Sequence, residues 1–201
     1  PVVPTLLTRN ADEAASASER IGFPVVLKIE SAQITHKSDV GGVELGLSSA
    51  AEVRDAFRRI RQRIAAKNPT AEIAGIVVQG MAAEGIEMIL GIKRDPLFGP
   101  VVVCGFGGIL VEVLKDVAIG IPPVSREQAH SLLTGLRGRL LLTGIRGKPP
   151  ADLDALCDAI VKVSNLAVSL GEQLLALDIN PLVVHATNHG VVAVDTLVQI
   201  G

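Results

Sequence analysis

Three strand-like runs follow one another with only a few residues between them: "AGIVVQGM", "IEMILGIKRD" and "GPVVVCGFGG". Parallel neighbours need a crossover of a dozen or more residues, usually a helix. The connections here, "AAEG" and the short stretch around Pro96, are far too short for that. These runs therefore predict antiparallel sheet. Helical patterns lie before and after them, and a hairpin pattern closes the chain. Strands in blocks and helices in blocks give an α+β fold, with helices on one face of the sheets.

The helices read from their ends. "NADEAASASERIG" has Asn10 or Thr8 as a cap and Gly22 as a stop. Ser48 or Ser49 starts the next helix, in which Val53, Ala56, Phe57, Ile60 and Ile64 recur at helical spacing. Asn68-Pro69 closes it. Ser125 caps "REQAHSLLTGL", and Asp152 caps "LDALCDAIVKVSNLAVSL". "ILVEVLKDVAIGIPPV" reads as one long strand or a pair, stopped by Pro122-Pro123. "LLALDINPLVVH" and "GVVAVDTLVQI" form the closing hairpin across the turn "ATNHG". Two lobes are expected, residues 1–79 and 80–201, with no internal repeat.

Composition excludes several classes. A chain of 201 residues can bury a core without staples. The net charge of -2 offers no basic excess for nucleic acid. Trp and Tyr are absent and only four Phe are present, so base-stacking platforms are not expected. The longest apolar run, "GPVVVCGFGGILVEVL", is interrupted by Glu112 and falls short of a membrane span. "PVVPTLLTRN" lacks a basic start followed by an apolar core, so no signal peptide is expected. The chain opens on Pro without Met, which fits an excised domain or a processed fragment. Cys104 and Cys157 lie far apart in apolar surroundings and read as buried free thiols, which fits the cytoplasm.

Four segments bear on chemistry. "ITHKSDVGGVELGL" puts His36, Lys37 and Asp39 beside Gly41-Gly42. Such a stretch serves either as a plain turn or as a phosphate-handling loop with a nucleophile in it. In the second case His36 attacks a phosphoryl group, Lys37 offsets its charge and the glycine amides bind its oxygens. Lys28 ends the apolar run "VVLK" and is either solvated or a point charge for phosphate. "GFGG", residues 105–108, leaves backbone N–H groups uncovered, as a sheet turn or as a phosphate cradle. Asp178 and Asn180 share one strand face, and Asp195 on the next strand can approach Asn180 across the hairpin. That set is either a solvated face or an oxygen-rich Mg²⁺ site. No P-loop or Rossmann fingerprint is present. His130, His185 and His189 read as surface residues.

Together, "GFPVVLKIESAQITHKSDVGGVELGL", "IVVQGM", "GIKRDPLFGPVVVCGFGGILVEVLKDV", "GIRGKPPADLDAL" and "LDINPLVV…VAVD" resemble, in order, the ATP-grasp domain of NDP-forming acyl-CoA synthetases. These are the ADP-forming acetate–CoA ligases, similar to succinyl-CoA synthetase. The resemblance covers nearly the whole chain. It implies two α+β lobes that clasp ATP or ADP with Mg²⁺. It implies that Lys28 binds nucleotide phosphate and that His36 becomes a phosphohistidine in a loop shaped by Gly41 and Gly42. Gln79, Gly80 and Met81 would meet adenine, Glu87 would approach the ribose, and Asn180 and Asp195 would hold Mg²⁺. The implied reaction is acid + CoA + ATP ⇌ acyl-CoA + ADP + phosphate. CoA-binding and ligase domains would lie on the same longer chain or on a partner subunit; self-association is left open.

The chain departs from that pattern at Ala176, where an acidic residue is frequent, and around Gly120, where an arginine is common. A rival reading is a regulatory nucleotide-binding module fused to a protein acetyltransferase. A third is a scaffold that binds no nucleotide.

Overall fold

The structure, a computed structural model, describes residues 1–34, 37–108, 116–145 and 147–201. Its contacts divide the chain into two units, Val3–Met81 and Ala82–Gly201, with Pro1–Val2 belonging to the second. Among the described residues every strand pairing within the two sheets is antiparallel, as the short connections require.

In the first unit, β1 (Thr5–Thr8), β2 (Val25–Glu30), β3 (Val43–Leu47) and β4 (Gly75–Gly80) form one sheet in the order β1-β4-β2-β3. Helices α1 (Ala11–Ile21) and α2 (Ala50–Lys67) accompany it. Asn10 caps α1 by accepting from the Glu13 N–H at 2.9 Å, and Glu13 returns a bond to the Arg9 N–H at 2.8 Å. Ser49 caps α2, and the five residues expected on its inner face are all buried. They pack with Leu27, Ile29, Ile76 and Val78 in one apolar core. Side chains alternate along a strand, so Val26, Lys28, Val77 and Gln79 occupy the opposite face of this sheet.

In the second unit, β5 (Ile86–Asp95), β6 (Gly99–Phe106), β7 (Val117–Gly120), β8 (Leu174–Val184) and β10 (Thr196–Ile200) run in the order β10-β8-β5-β6-β7. β9 (Val191–Ala193) also pairs with β8. The closing hairpin thus differs from the expectation of two unbroken strands: its second arm is split into β9 and β10, with Asp195 in the gap. Most of "ILVEVLKDV", residues 109–115, lies outside the described residues; the part that follows is β7.

Two helices cover one face of this sheet. α3 (Arg126–Gly135) begins with the reciprocal cap of Ser125 and Gln128. α4 (Leu153–Leu170) begins at Asp152, whose carboxylate accepts from the N–H groups of Ala155 at 3.1 Å and Gly190 at 2.8 Å. Arg126 joins the two helices through Asp154 and Asp158. The inner face of α4 packs on Met88, Leu90, Ile92, Val102 and Cys104. Both cysteines are free and buried, and burial pushes the Cys104 thiol up to about 12. No helix among the described residues is long and apolar enough to cross a membrane.

Ile160 is wholly buried on the sheet-facing side of α4. Ile160→Ala leaves a cavity there and is expected to cost about 2–5 kcal/mol, read as a lower urea midpoint at unchanged slope.

Candidate functional site

Of the polar residues singled out in the sequence, Lys28, Gln79, Glu87, Asp178 and Asn180 lie on the face of their own sheet opposite the helix-packed core. In the first unit Lys28 lies on β2 across from Val43 and Val77. Gln79 sits beside Val26 on β4, buried, and donates to the Thr5 hydroxyl at 3.2 Å. The Gly80 N–H donates to the Pro4 carbonyl at 2.9 Å, and a Cβ at Gly80 would meet Ile21 at 3.3 Å. Met81 is exposed at the end of this segment.

His36 lies outside the described residues. The turn that follows it is well defined. The Gly41 N–H donates to the Ser38 carbonyl at 2.9 Å and the Gly42 N–H to the Lys37 carbonyl at 2.8 Å. Gly42 also accepts from the Ile29 N–H at 2.8 Å, which fastens the turn to β2 one residue after Lys28. Gly41 has φ +73°, a region glycine enters without strain. A Cβ at Gly42 would meet the Ile29 side chain at 2.5 Å, so only glycine fits. Both glycine amides are therefore engaged inside the turn. Lys37 is paired with Glu30 at 2.7 Å, a partner the sequence reading did not give it.

The other wall of this turn comes from α2. The Arg63 guanidinium donates to the Gly41 carbonyl at 3.3 Å and pairs with Glu44 at 3.0 Å. Arg59 makes a two-pronged contact with the same carboxylate. The Arg59 hydrogen bond, ahead of the other contributions, holds the Glu44 carboxyl below its usual range. The sequence carried no signal for this cluster, because its members are far apart in the chain.

In the second unit the core face of the sheet holds Leu90, Leu177 and Ile179. By alternation its uncovered face holds Glu87, Ile89, Gly91, Asp178 and Asn180. At the gap in the hairpin, the Asn180 N–H donates to the Asp195 carbonyl at 3.0 Å, and the Val194 N–H donates to Pro181 at 3.0 Å. Asn180 and Asp195 are thus brought side by side, both exposed. Desolvation raises the neighbouring Asp178 carboxyl above its usual range although its side chain reaches solvent. Among the described residues no three His, Cys, Asp or Glu side chains stand together as a metal cage. Magnesium asks for less: one or two protein oxygen ligands, with waters and substrate phosphates completing the shell. Two adjacent oxygen-bearing side chains on an open face fit that demand.

Glu87 borders a cavity of about 820 Å³ at the end of this sheet. Its carbonyl accepts from the Gly107 N–H at 2.7 Å, and its carboxylate lies 2.9 Å from where a Cβ of Gly108 would stand. "GFGG" therefore leaves fewer free amides than expected; its glycines let Glu87 come close. Phe106, Lys148, Pro149 and His185 also line the cavity. Lys148 pairs with Glu84 at 2.7 Å, and His185 Nδ1 lies 3.2 Å from the Glu84 carbonyl. His185 is thus part of a cavity wall, not the plain surface residue expected. A volume of this size and a largely apolar wall suit a small-molecule site. Gly120 faces the helices rather than the open face: a Cβ there would meet Leu132 at 3.0 Å.

A family model described as an ATP-grasp domain matches residues 1–200. The chain belongs to the ATP-grasp family. It falls in the branch of the ADP-forming acetate–CoA ligases: it is 43% identical over 195 residues to the β subunit of acetate–CoA ligase [ADP-forming] I of Pyrococcus furiosus, covering 97% of this domain and 83% of that subunit. It is also 43% identical to acetate–CoA ligase [ADP-forming] I of Archaeoglobus fulgidus, but covers only 28% of that longer protein. The domain thus spans little more than a quarter of the fused relatives it matches. Among solved structures, the dinucleotide-forming acetyl-coenzyme A synthetase 1 of Ca. Korarchaeum cryptofilum, in complex with coenzyme A, Ca-AMPCP and HgCl⁺, superposes on all of this domain and 86% of that chain with a TM-score of 0.95 at 41% identity. A second structure of that enzyme, with coenzyme A and Mg-AMPPCP, has a phosphohistidine segment pointing towards its nucleotide-binding site; there the TM-score is 0.85 at 39% identity, over all of this domain and 85% of that chain.

Glu44 sets a pH dependence for the first unit. Its carboxyl is lowered on folding from 4.5, so the stability it contributes is complete above about that pH and is lost as pH falls through the lower folded value. Glu44→Gln should flatten this part of the acid-unfolding curve, followed by circular dichroism between about pH 5 and 2.

Proposed function

We propose that this domain is the nucleotide half of an ADP-forming acyl-CoA synthetase. It exchanges phosphate between ATP and His36 in the overall reaction acid + CoA + ATP ⇌ acyl-CoA + ADP + phosphate. The observation that carries this reading is the glycine turn after His36, fastened to the strand that bears Lys28, in a domain 43% identical to an acetate–CoA ligase β subunit. A histidine beside a turn so tightly specified is suited to carrying a group, because the turn fixes where its base stands.

In the forward direction a neutral His36 imidazole nitrogen attacks the γ-phosphorus of ATP. The bond between that phosphorus and the bridging oxygen breaks, and ADP leaves. Lys28 offsets phosphate charge. Gln79, Gly80 and Met81 form the adenine-side segment, and Glu87 approaches the ribose from the rim of the cavity. Because the amides of Gly80 and Gly42 are engaged, their contribution is shape. Asn180 and Asp195 would hold Mg²⁺. When bound, that ion supplies charge neutralisation on the phosphate oxygens.

The acyl-phosphate and CoA steps belong to further domains on the same polypeptide or on a partner subunit, a division supported by the separate Pyrococcus subunit and the longer Archaeoglobus chain. The two buried free thiols support a reducing compartment such as the cytoplasm. The regulatory alternative is not favoured by ligase relatives, and it differs in outcome: it binds nucleotide without transfer.

Incubation with γ-³²P-ATP and Mg²⁺ should label the wild-type domain with an acid-labile, base-stable phosphate and leave His36→Ala unlabelled. Equal label on both proteins would remove His36 from the mechanism. Asp195→Ala should raise the Mg²⁺ concentration needed for half-maximal labelling by about tenfold, the scale of one lost charged contact. An unchanged Mg²⁺ requirement would take Asp195 out of the metal site.

A further inference from the structure

The histidine turn is gripped from a side that the phosphoryl-transfer reading does not use. Three hydrogen bonds hold it from within or from β2: Gly41 to Ser38, Gly42 to Lys37 and Ile29 to Gly42. None of them uses the Gly41 carbonyl. That group accepts instead from Arg63, more than twenty residues away on α2. A Cβ on Gly41 would stand 3.1 Å from Arg63 Cδ, so the arginine stem lies directly over the glycine. Arg63 is not left to wander. Glu44 holds its other terminal nitrogen at 3.0 Å, and Glu44 is itself held by the two-pronged contact of Arg59. The carboxylate is mostly buried, with 14% of its side chain exposed.

An arginine on the surface of a helix gains little from a single exposed ion pair. Here the planar guanidinium spans two acceptors, a backbone carbonyl and a carboxylate, so its orientation is set by geometry that lysine cannot reproduce in full. Gly41 is also the residue at which the turn enters positive φ. A contact at that residue therefore bears on the one position of the turn where the backbone takes its left-handed conformation.

We propose that Arg63 is a positioning residue for phosphoryl transfer: it clips the Gly41 carbonyl, with Glu44 and Arg59 as its brace, and so sets the base from which His36 works. The proposal rests on the phosphohistidine reading for its catalytic consequence, but the clip itself does not. The clip acts through Gly41 and Glu44 rather than through the residues assigned to the nucleotide, so nucleotide affinity is expected to stay as it is.

The test compares wild type, Arg63→Ala and Arg63→Lys by two measurements. The first is hydrogen exchange at the Gly41 and Gly42 amides, read by mass spectrometry of the peptides that cover them. Arg63→Ala should speed this exchange by about tenfold while the core strands β2 and β4 keep their protection. The second is the initial rate of His36 labelling from γ-³²P-ATP. It should fall by about tenfold in Arg63→Ala at an unchanged Kd for a non-hydrolysable ATP analogue, and Arg63→Lys should recover part of it. Unchanged exchange in Arg63→Ala overturns the clip, whatever the labelling shows. Faster exchange with an undiminished labelling rate overturns the positioning role. Faster exchange with no label on wild type fells the phosphohistidine reading and leaves the clip standing. A loss of nucleotide affinity or of protection throughout β2 and β4 would show a structural residue instead, and would also overturn the proposal.

Discussion

Among the described residues the helices of each unit pack on one face of its sheet, and that asymmetry decides what the other face can carry. Burial of α1 and α2 on one side of the first sheet, and of α3 and α4 on one side of the second, takes up the inward-facing aliphatic residues of the central strands. The outward-facing residues are released from core duty. Residues of the kind that would be costly inside, such as Lys28, Glu87, Asp178 and Asn180, then sit on strands at no packing penalty and gain the precision of a strand. A loop could offer the same groups, but not at a fixed spacing set by the ladder. In each sheet the antiparallel register decides which residues share a face.

The helices and most strands were legible in the sequence because their signals are local. Asn10, Ser49, Ser125 and Asp152 cap the helices they precede, and the apolar period over 53–64 names the buried face of α2. The pairing of Asn180 with Asp195 was also legible, since a hairpin brings near what the chain keeps near. Three features were not. The split of the last arm at Asp195 left no composition cue, because "GVVAVDTLVQI" alternates plausibly from end to end. The partners of Lys37 and the two glycines left no cue either: Lys37 is paired with Glu30, and the Gly41 and Gly42 amides donate to the Ser38 and Lys37 carbonyls. The contacts of Arg63, Lys148 and His185 were not legible because each is made across a long stretch of chain, and a helix surface rich in arginine looks the same whether or not a carbonyl lies above it.

The turn after His36 illustrates how a small amount of sequence can be heavily determined. Gly42 is fixed by the Ile29 side chain beneath it and by the β2 ladder beside it. Gly41 is fixed by its positive φ and by the arginine over it. The cost of such a turn is the conformational entropy that two adjacent glycines lose. The core under Ile29 and the ionic brace on α2 offset it, so the turn takes its order from elements outside it.

The first unit has its two ends together: the Gly80 N–H donates to Pro4, and Val3 and Met81 mark where the chain enters and leaves it. Pro1 and Val2 belong to the other unit, which they join by bridging to β9. In chain terms the first unit is an insertion. During synthesis it can be finished and buried on itself while the sheet of its host is still unmade, because that sheet needs β8, near the far end of the sequence, to sit between β5 and β10. The unit carrying the histidine turn can thus close on itself before the strand that offers Asn180 has been added to its host.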